Sequence, residues 1–248
     1  MILPGNLMAS SEAIPISDHP RGGMPVSGTL HLSAKSSGDV LVLTHGAGGN
    51  SKAPLLVALA ELLAESGVNV LRCDLPFRQR RPTGPPSPSD SKHDQEGLQR
   101  AVELMQQQFP GRAFLGGSSY GGRQATMLAA TQTSLVEGLL LLSYPLHPPG
   151  RPAQLRTQHF PKLRTRCLFV SGTRDAFGTL DELTSAIQLI PARTKLVAIE
   201  GAAHGLWQRS NRDNLPQTIV QGFRSFFRYK LQQPPDSRRE RLRGRDQA

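Results

Sequence analysis

Cysteine is nearly absent from the sequence: Cys73 and Cys167 are the only two in 248 residues. Two lone thiols make neither a disulfide framework nor a metal-binding cluster. Each sits in an apolar run (VNVLRC and TRCLFV), where a free buried thiol is expected. A reducing, cytoplasmic setting is the simplest expectation. Long apolar runs are missing too. No window approaches the roughly 18 consecutive apolar residues of a membrane span. The opening MILPGNLMASSEAIPIS lacks the basic start and apolar stretch of a secretory signal. There is no internal repeat. Acidic residues are outnumbered, with 29 Lys and Arg against 19 Asp and Glu, so the formal charge is +10. That balance alone does not indicate a nucleic-acid partner. The densest basic runs, RQRRP at 78–82 and SRRERLRGR at 237–245, are not interleaved with aromatics and belong to no recognisable nucleic-acid module. Solvated surface charge is expected, with neither nucleic acid nor membrane as partner.

What is present is an alternation of apolar strand-length runs with segments of helical period. VLVLTH (40–45), VNVLRC (68–73), RAFLGG (112–117), EGLLLLSYP (137–145), RCLFVSG (166–172) and TKLVAIEG (194–201) read as strands. Their continuous Val/Ile/Leu character, without polar alternation, indicates burial on both faces, as in a parallel sheet covered by helices on each side. Helices are expected between them. One starts near Pro54 and carries the stripe Leu55, Leu56, Leu59, Leu62 and Leu63. A second repeats Leu98, Val102, Met105 and Phe109. A third is YGGRQATMLAAT, a fourth DELTSAIQLI (181–190), and a fifth is marked by Leu215, Ile219, Phe223 and Phe226. IPIS (14–17) and VSGTLHL (26–32) suit an antiparallel edge pair. Residues 75–90 read as a polar, Pro-rich loop. The expected organisation is a flexible N-terminus over 1–13, one α/β domain over 14–232, and a basic, disordered tail over 233–248.

The sharpest signal is Gly117-Ser118-Ser119-Tyr120-Gly121-Gly122, a G-x-S-x-G pattern between a predicted strand and a predicted helix. A serine thrust out at such a turn needs small residues two before and two after it. Gly117 and Gly121 fill those places for Ser119. For Ser118 the second place would be Tyr120, which does not fit. A serine nucleophile needs a base, and the base needs an orienting acid. In α/β-hydrolases these follow in the order Ser, Asp or Glu, His. Asp175 follows strand RCLFVSG, and His204 follows strand TKLVAIEG, so both fall at the carboxyl edge of the sheet, where open α/β folds build their sites. Taken alone, Asp175 equally suits a turn aspartate and His204 a loop histidine. The coincidence of type, order and edge carries the reading. Glu200 and Asp181 are rival acids, one inside a strand pattern and one starting a helix. His147 and His159 precede Asp175 and break the order.

His45-Gly46-Ala47-Gly48-Gly49 follows strand VLVLT and has the composition of a loop that donates N–H groups to an oxyanion. The first donor is assigned to Ala47, with Gly46 as alternative, and the second to Tyr120. His45 is read as structural. Phe77-Arg78-Gln79-Arg80-Arg81 also follows a strand, so Arg78, Arg80 and Arg81 either bind a substrate carboxylate or phosphate or form a solvated loop. Trp207 either lines the pocket or belongs to the core. The connection between Pro145 and Pro161 is too short for a large cap domain.

At these residues the chain resembles a known group. LTHGAGG, DLPFRQRRP, GGSSYGGR, SGTRDAFG and GAAHGL together are similar to the testis-expressed/NSL-complex-subunit-like α/β-hydrolases, a group related to dienelactone hydrolases, over roughly residues 26–230. The resemblance implies an α/β-hydrolase fold: a mostly parallel central sheet with helices on both faces. It implies Ser119 as nucleophile, Asp175 as acid, His204 as base and the 45–49 loop as oxyanion hole. No cofactor or metal is implied. Group members often carry Lys and Met on either side of the nucleophile, where this chain has Ser118 and Tyr120. Dienelactone hydrolases use a cysteine nucleophile, so their substrate is not carried over. The expected function is a serine hydrolase acting through an acyl-enzyme on a small carboxylic ester, thioester or lactone. The competing expectation is an idle hydrolase fold used as a protein-interaction module, a role some animal relatives suggest.

Overall fold

The computed structural model describes residues 12–227. Eight strands form one sheet: β1 (Glu12–Asp18), β2 (Val26–Leu32), β3 (Val40–Thr44), β4 (Asn69–Cys73), β5 (Ala113–Ser118), β6 (Gly138–Leu142), β7 (Arg166–Gly172) and β8 (Thr194–Ile199). Their order is β1-β2-β4-β3-β5-β6-β7-β8. The first two pairings are antiparallel, and every pairing from β4 through β8 is parallel. Pairing in β1 starts at Glu12, inside the segment expected to be flexible. The remainder of that segment, and the basic tail, lie outside the described residues.

Strand alternation builds two cores. On β3, Val40 and Val42 face one way and Leu41 and Leu43 the other, and all four are buried. The first face meets α3 (Asp90–Gln108), α4 (Tyr120–Thr131) and α5 (Leu180–Ile187) through Leu98, Val102, Ala125, Ala129 and Leu183. The second meets α1 (Pro54–Glu65) and α6 (Leu215–Phe226) through Leu56, Leu59, Ile219 and Phe223. Each fully buried Leu or Phe contributes about 1.5–3 kcal/mol of transfer free energy. Pro54 opens α1, where its missing N–H costs nothing. Thr179 and Glu182 close a capping box on α5.

Two stretches differ from expectation. The Pro-rich loop holds a short helix, α2 (Pro76–Arg80). α3 begins at Asp90, two turns ahead of its apolar stripe, because the Asp90 carboxylate gathers Arg80, Arg81 and the Ser87 N–H at its start. Between β6 and β7 the only regular element is a single 3₁₀ turn at Phe160–Lys162, so no cap covers the sheet edge. Among the described residues, no helix is long and apolar enough to cross a membrane.

Because β3, β5, β7 and β8 run parallel, the loops after their carboxyl ends emerge on one edge, and these loops carry residues 45–49, Ser119, Asp175 and His204.

Across β2 and β4, Arg72 is buried. Its Nε–H donates to His31 Nε2 at 2.9 Å, and its Nη1 donates to the Ser51 carbonyl. His31 must stay neutral to accept that bond, and burial, aided by Arg72, holds its pKa down at about 4. The unfolded chain therefore binds a proton that the folded chain refuses between pH 6.5 and 4. Stability is expected to fall as pH drops through that window, at a slope of up to ~1.4 kcal/mol per pH unit for this one proton. His31→Gln, which accepts the same bond without titrating, is expected to flatten the acid limb in urea titrations run at several pH values.

Candidate active site

β5 ends at Ser118, and α4 starts at Tyr120, so Ser119 alone makes the turn. Its backbone sits at φ 48°, ψ −113°, a region that non-glycine residues rarely adopt. Its N–H donates to the Leu142 carbonyl of β6 at 2.8 Å, and the Arg123 N–H donates to its own carbonyl at 3.0 Å. The flanking glycines are required by close approach. A Cβ on Gly117 would lie 2.6 Å from the backbone of Gly121 and Gly122, and one on Gly121 would lie 2.5 Å from the His45 carbonyl oxygen.

The hydroxyl meets an imidazole. Ser119 Oγ lies 2.8 Å from His204 Nε2, and His204 Nδ1 lies 2.9 Å from both carboxylate oxygens of Asp175. The carboxylate can only accept, so Nδ1 carries the proton. Nε2 then offers a lone pair to the serine O–H. Asp175 is buried and also accepts the Phe177 N–H at 2.8 Å. Phe177 stacks on the His204 ring at 4.0 Å between centroids, fixing its plane. The structure thus brings together three residues that are far apart in the chain. The rivals are engaged elsewhere. Glu200 and Asp181 are exposed, His147 binds the Pro148 carbonyl, and His159 binds the Thr126 hydroxyl.

The 45–49 loop lies against the Ser119 turn: a Cβ on Gly46 would lie 3.4 Å from that of Ser119. The N–H groups of Ala47 and Tyr120 have no protein acceptor among the described residues, and both residues line the same cleft as Ser119. His45 has the structural place expected of it. Nδ1 donates to the Gly46 carbonyl at 2.8 Å, and Nε2 accepts the Leu75 N–H at 3.1 Å. Burial lowers its pKa, which keeps the ring neutral for both bonds.

In the arginine loop Arg80 and Arg81 are exposed, as a solvated loop requires, while Arg78 departs from both expectations. Arg78 is buried behind the 45–49 loop, not in front of it. Its guanidinium donates to the carbonyls of Gly49 (2.8 Å), Ala47 (2.9 Å), Gly84 (3.0 Å) and Arg81 (3.2 Å). Arg80 and Arg81 pair with Asp90, each at 2.6 Å. None of the three lines the cleft. They follow a strand whose end reaches the right edge, but α2 turns their side chains toward backbone and toward α3. Tyr120 is likewise tied down. Its hydroxyl donates to Asp94 of α3 at 2.7 Å, and Asp94 also accepts the Phe77 N–H at 2.9 Å.

A cleft of about 970 Å³ opens over Ser119 and His204. Trp207 is half-buried. It lines the cleft and also packs against the α1/α6 core, so both of its expected places are occupied at once. Sequence reasoning missed Phe177, Asp94, Arg123 and Arg156. Arg123 had a usable signal, since it lies one helical turn after Ser119. Arg156 had none, because it sits in an irregular polar stretch.

A family described as "Alpha/beta hydrolase domain" matches residues 37–226. Among solved structures, the chain is similar to a dienelactone hydrolase from Anabaena variabilis, with a TM-score of 0.69 at 18% identity over 88% of this chain and 99% of that one. It is similar to Est1E from Butyrivibrio proteoclasticus, with a TM-score of 0.68 at 17% identity over 86% and 99%. An esterase from Pyrococcus furiosus aligns with a TM-score of 0.68 at 14% identity over 91% and 96%. At these identities the likeness is one of fold.

Arg78 makes its own test. Arg78→Met keeps most of the buried stem and removes every donor. It is expected to cost about 2–4 kcal/mol in urea unfolding, since hydrogen bonds from a charged group are worth ~1.5–3 kcal/mol. Hydrogen exchange should rise selectively at residues 46–50. Unchanged protection there would show that the loop holds its shape without the guanidinium.

Proposed function

We propose that this chain, which belongs to the alpha/beta hydrolase domain family, is a serine hydrolase that cleaves small carboxylic esters through an acyl-enzyme on Ser119. The observation that carries this reading is the unbroken hydrogen-bond chain from the Ser119 hydroxyl through His204 to Asp175. No rearrangement is needed before the proton can move.

In this reading Ser119 Oγ attacks the ester carbonyl carbon while its proton passes to His204 Nε2. Asp175 steadies the resulting imidazolium. The carbonyl oxygen becomes an oxyanion and takes hydrogen bonds from the Ala47 and Tyr120 N–H groups. The Tyr120 group is at a helix N-terminus, where the helix dipole favours negative charge. Collapse of the intermediate breaks the bond to the leaving oxygen, and His204 returns its proton to the departing alcohol. His204 then takes a proton from water, whose oxygen attacks the acyl carbon, and returns that proton to Ser119 Oγ as the acyl bond breaks and the acid leaves. Thioesters and lactones fit the same steps. Neither cysteine competes as nucleophile. Cys73 and Cys167 are buried within strands, and burial pushes both thiols up, Cys73 to about 12. The open edge above the sheet favours small or flexible substrates.

A fluorophosphonate probe is expected to label the wild type and to spare Ser119→Ala, with p-nitrophenyl acetate turnover falling at least about a thousandfold in Ser119→Ala and His204→Ala. If the wild type takes no label and turns over no ester, the fold serves another purpose, and binding to other proteins becomes the reading to pursue.

A further inference from the structure

Some arginines elsewhere in the fold find carboxylates, while the buried Arg72 and Arg78 are satisfied by a histidine and by backbone carbonyls. Arg100 pairs with Asp18, Arg112 with Asp39 and Arg166 with Glu137, at 2.6 to 2.8 Å. The cleft offers no carboxylate. Arg123, Arg156, Arg209 and Arg212 line it, and no Asp or Glu does. Among the described residues, none of the four has an acidic partner. Arg209 and Arg212 are exposed at the rim, where an unpaired charge costs little. Arg123 and Arg156 are half-buried, where it costs more.

The backbone of the inner pair is also held in place. Arg123 belongs to α4, one turn after Ser119, and its Nε is buried with no hydrogen-bond partner. Arg156 is fixed by its backbone: its N–H donates to the Leu146 carbonyl at 2.8 Å, and its carbonyl accepts the buried Tyr144 hydroxyl at 2.7 Å. Its side chain makes one long bond, Nη1 to the Pro145 carbonyl at 3.3 Å. Arg123 lies close enough to Arg156 to act on it. Burial first, and Arg123 second, lower the pKa of Arg156, and the same two causes hold His159 at about 4. Two half-buried guanidiniums that repel each other in a cleft wall, with donors unspent, match an incoming oxyanion that accepts from both.

We propose that Arg123 and Arg156 form an anion-binding subsite beside the nucleophile, and that the substrate is an ester carrying a carboxylate or phosphate group a few bonds from the scissile carbonyl. This rests on the reading of Ser119 as nucleophile. The spacing follows from the helix: Ser119 and Arg123 are four residues apart, about 6 Å along the α4 axis. The rim arginines would draw such a substrate toward the cleft.

The test compares mono-4-nitrophenyl glutarate with 4-nitrophenyl pentanoate, which has the same acyl length and no charge. The wild type is expected to prefer the glutarate by about tenfold or more in kcat/KM, and Arg123→Gln or Arg156→Gln should lower that preference at least about tenfold, mainly through KM. A wild type that favours pentanoate, or variants that leave the ratio unchanged, overturns the subsite. Calorimetry of Ser119→Ala with glutarate and with inorganic phosphate gives a readout independent of turnover. The tighter ligand identifies carboxylate or phosphate as the preferred group, and adding Arg123→Gln should abolish its binding. Anion binding without fluorophosphonate labelling of the wild type would keep the subsite and remove the hydrolase. Labelling with no anion binding and no glutarate preference would do the reverse.

Discussion

The turn at Ser119 holds a residue with a Cβ at φ 48°, a conformation costing on the order of 1–3 kcal/mol that persists only where the surroundings over-determine it. Here they do so from three directions. β6 takes the serine N–H, α4 begins at once and takes its carbonyl, and the backbones of Gly117 and Gly121 pack so closely that no side chain fits between them. The turn in turn fixes the 45–49 loop, because Gly121 lies against the His45 carbonyl and Gly46 against Ser119. Position, donor geometry and helix N-terminus therefore belong to one rigid piece of backbone.

Behind that piece lies a layer of polar groups whose work is positional. Arg78 gathers four carbonyls from two segments, two of them from the 45–49 loop. His45 bridges the same loop to the end of β4. Asp94 joins Tyr120, at the head of α4, to Phe77 on α2. A buried cation that spends its donors on backbone oxygens is paired with dipoles and not with an anion. This explains how a strongly basic chain seats an arginine beside its site without neutralising a carboxylate there.

The sheet, its flanking helices and the three distant residues at one edge were readable because each rests on a local regularity. Unbroken apolar runs mark strands buried on both faces, and G-x-S-x-G marks a turn with steric demands. Chain order then picks out Asp175 and His204. What could not be read depends on side-chain direction within irregular segments. RQRR follows a strand toward the proper edge, yet a five-residue helix turns Arg78 inward and sends Arg80 and Arg81 to Asp90. The early start of α3 shares this origin, since its first turns are polar and are held by Asp90. Arg156 owes its place to backbone bonds with residues ten and twelve positions earlier, and no periodicity records that.

The burial of Cys73 and Cys167 has a practical corollary. Both sulfurs sit within central strands, so a thiol reagent has no route to them while the sheet is closed. The rate at which such a reagent consumes two equivalents thus reports how often the sheet opens, with no probe attached. One cysteine added at the surface would be the fast-reacting thiol, a handle for a fluorophore or a surface tether in a protein that keeps its native pair.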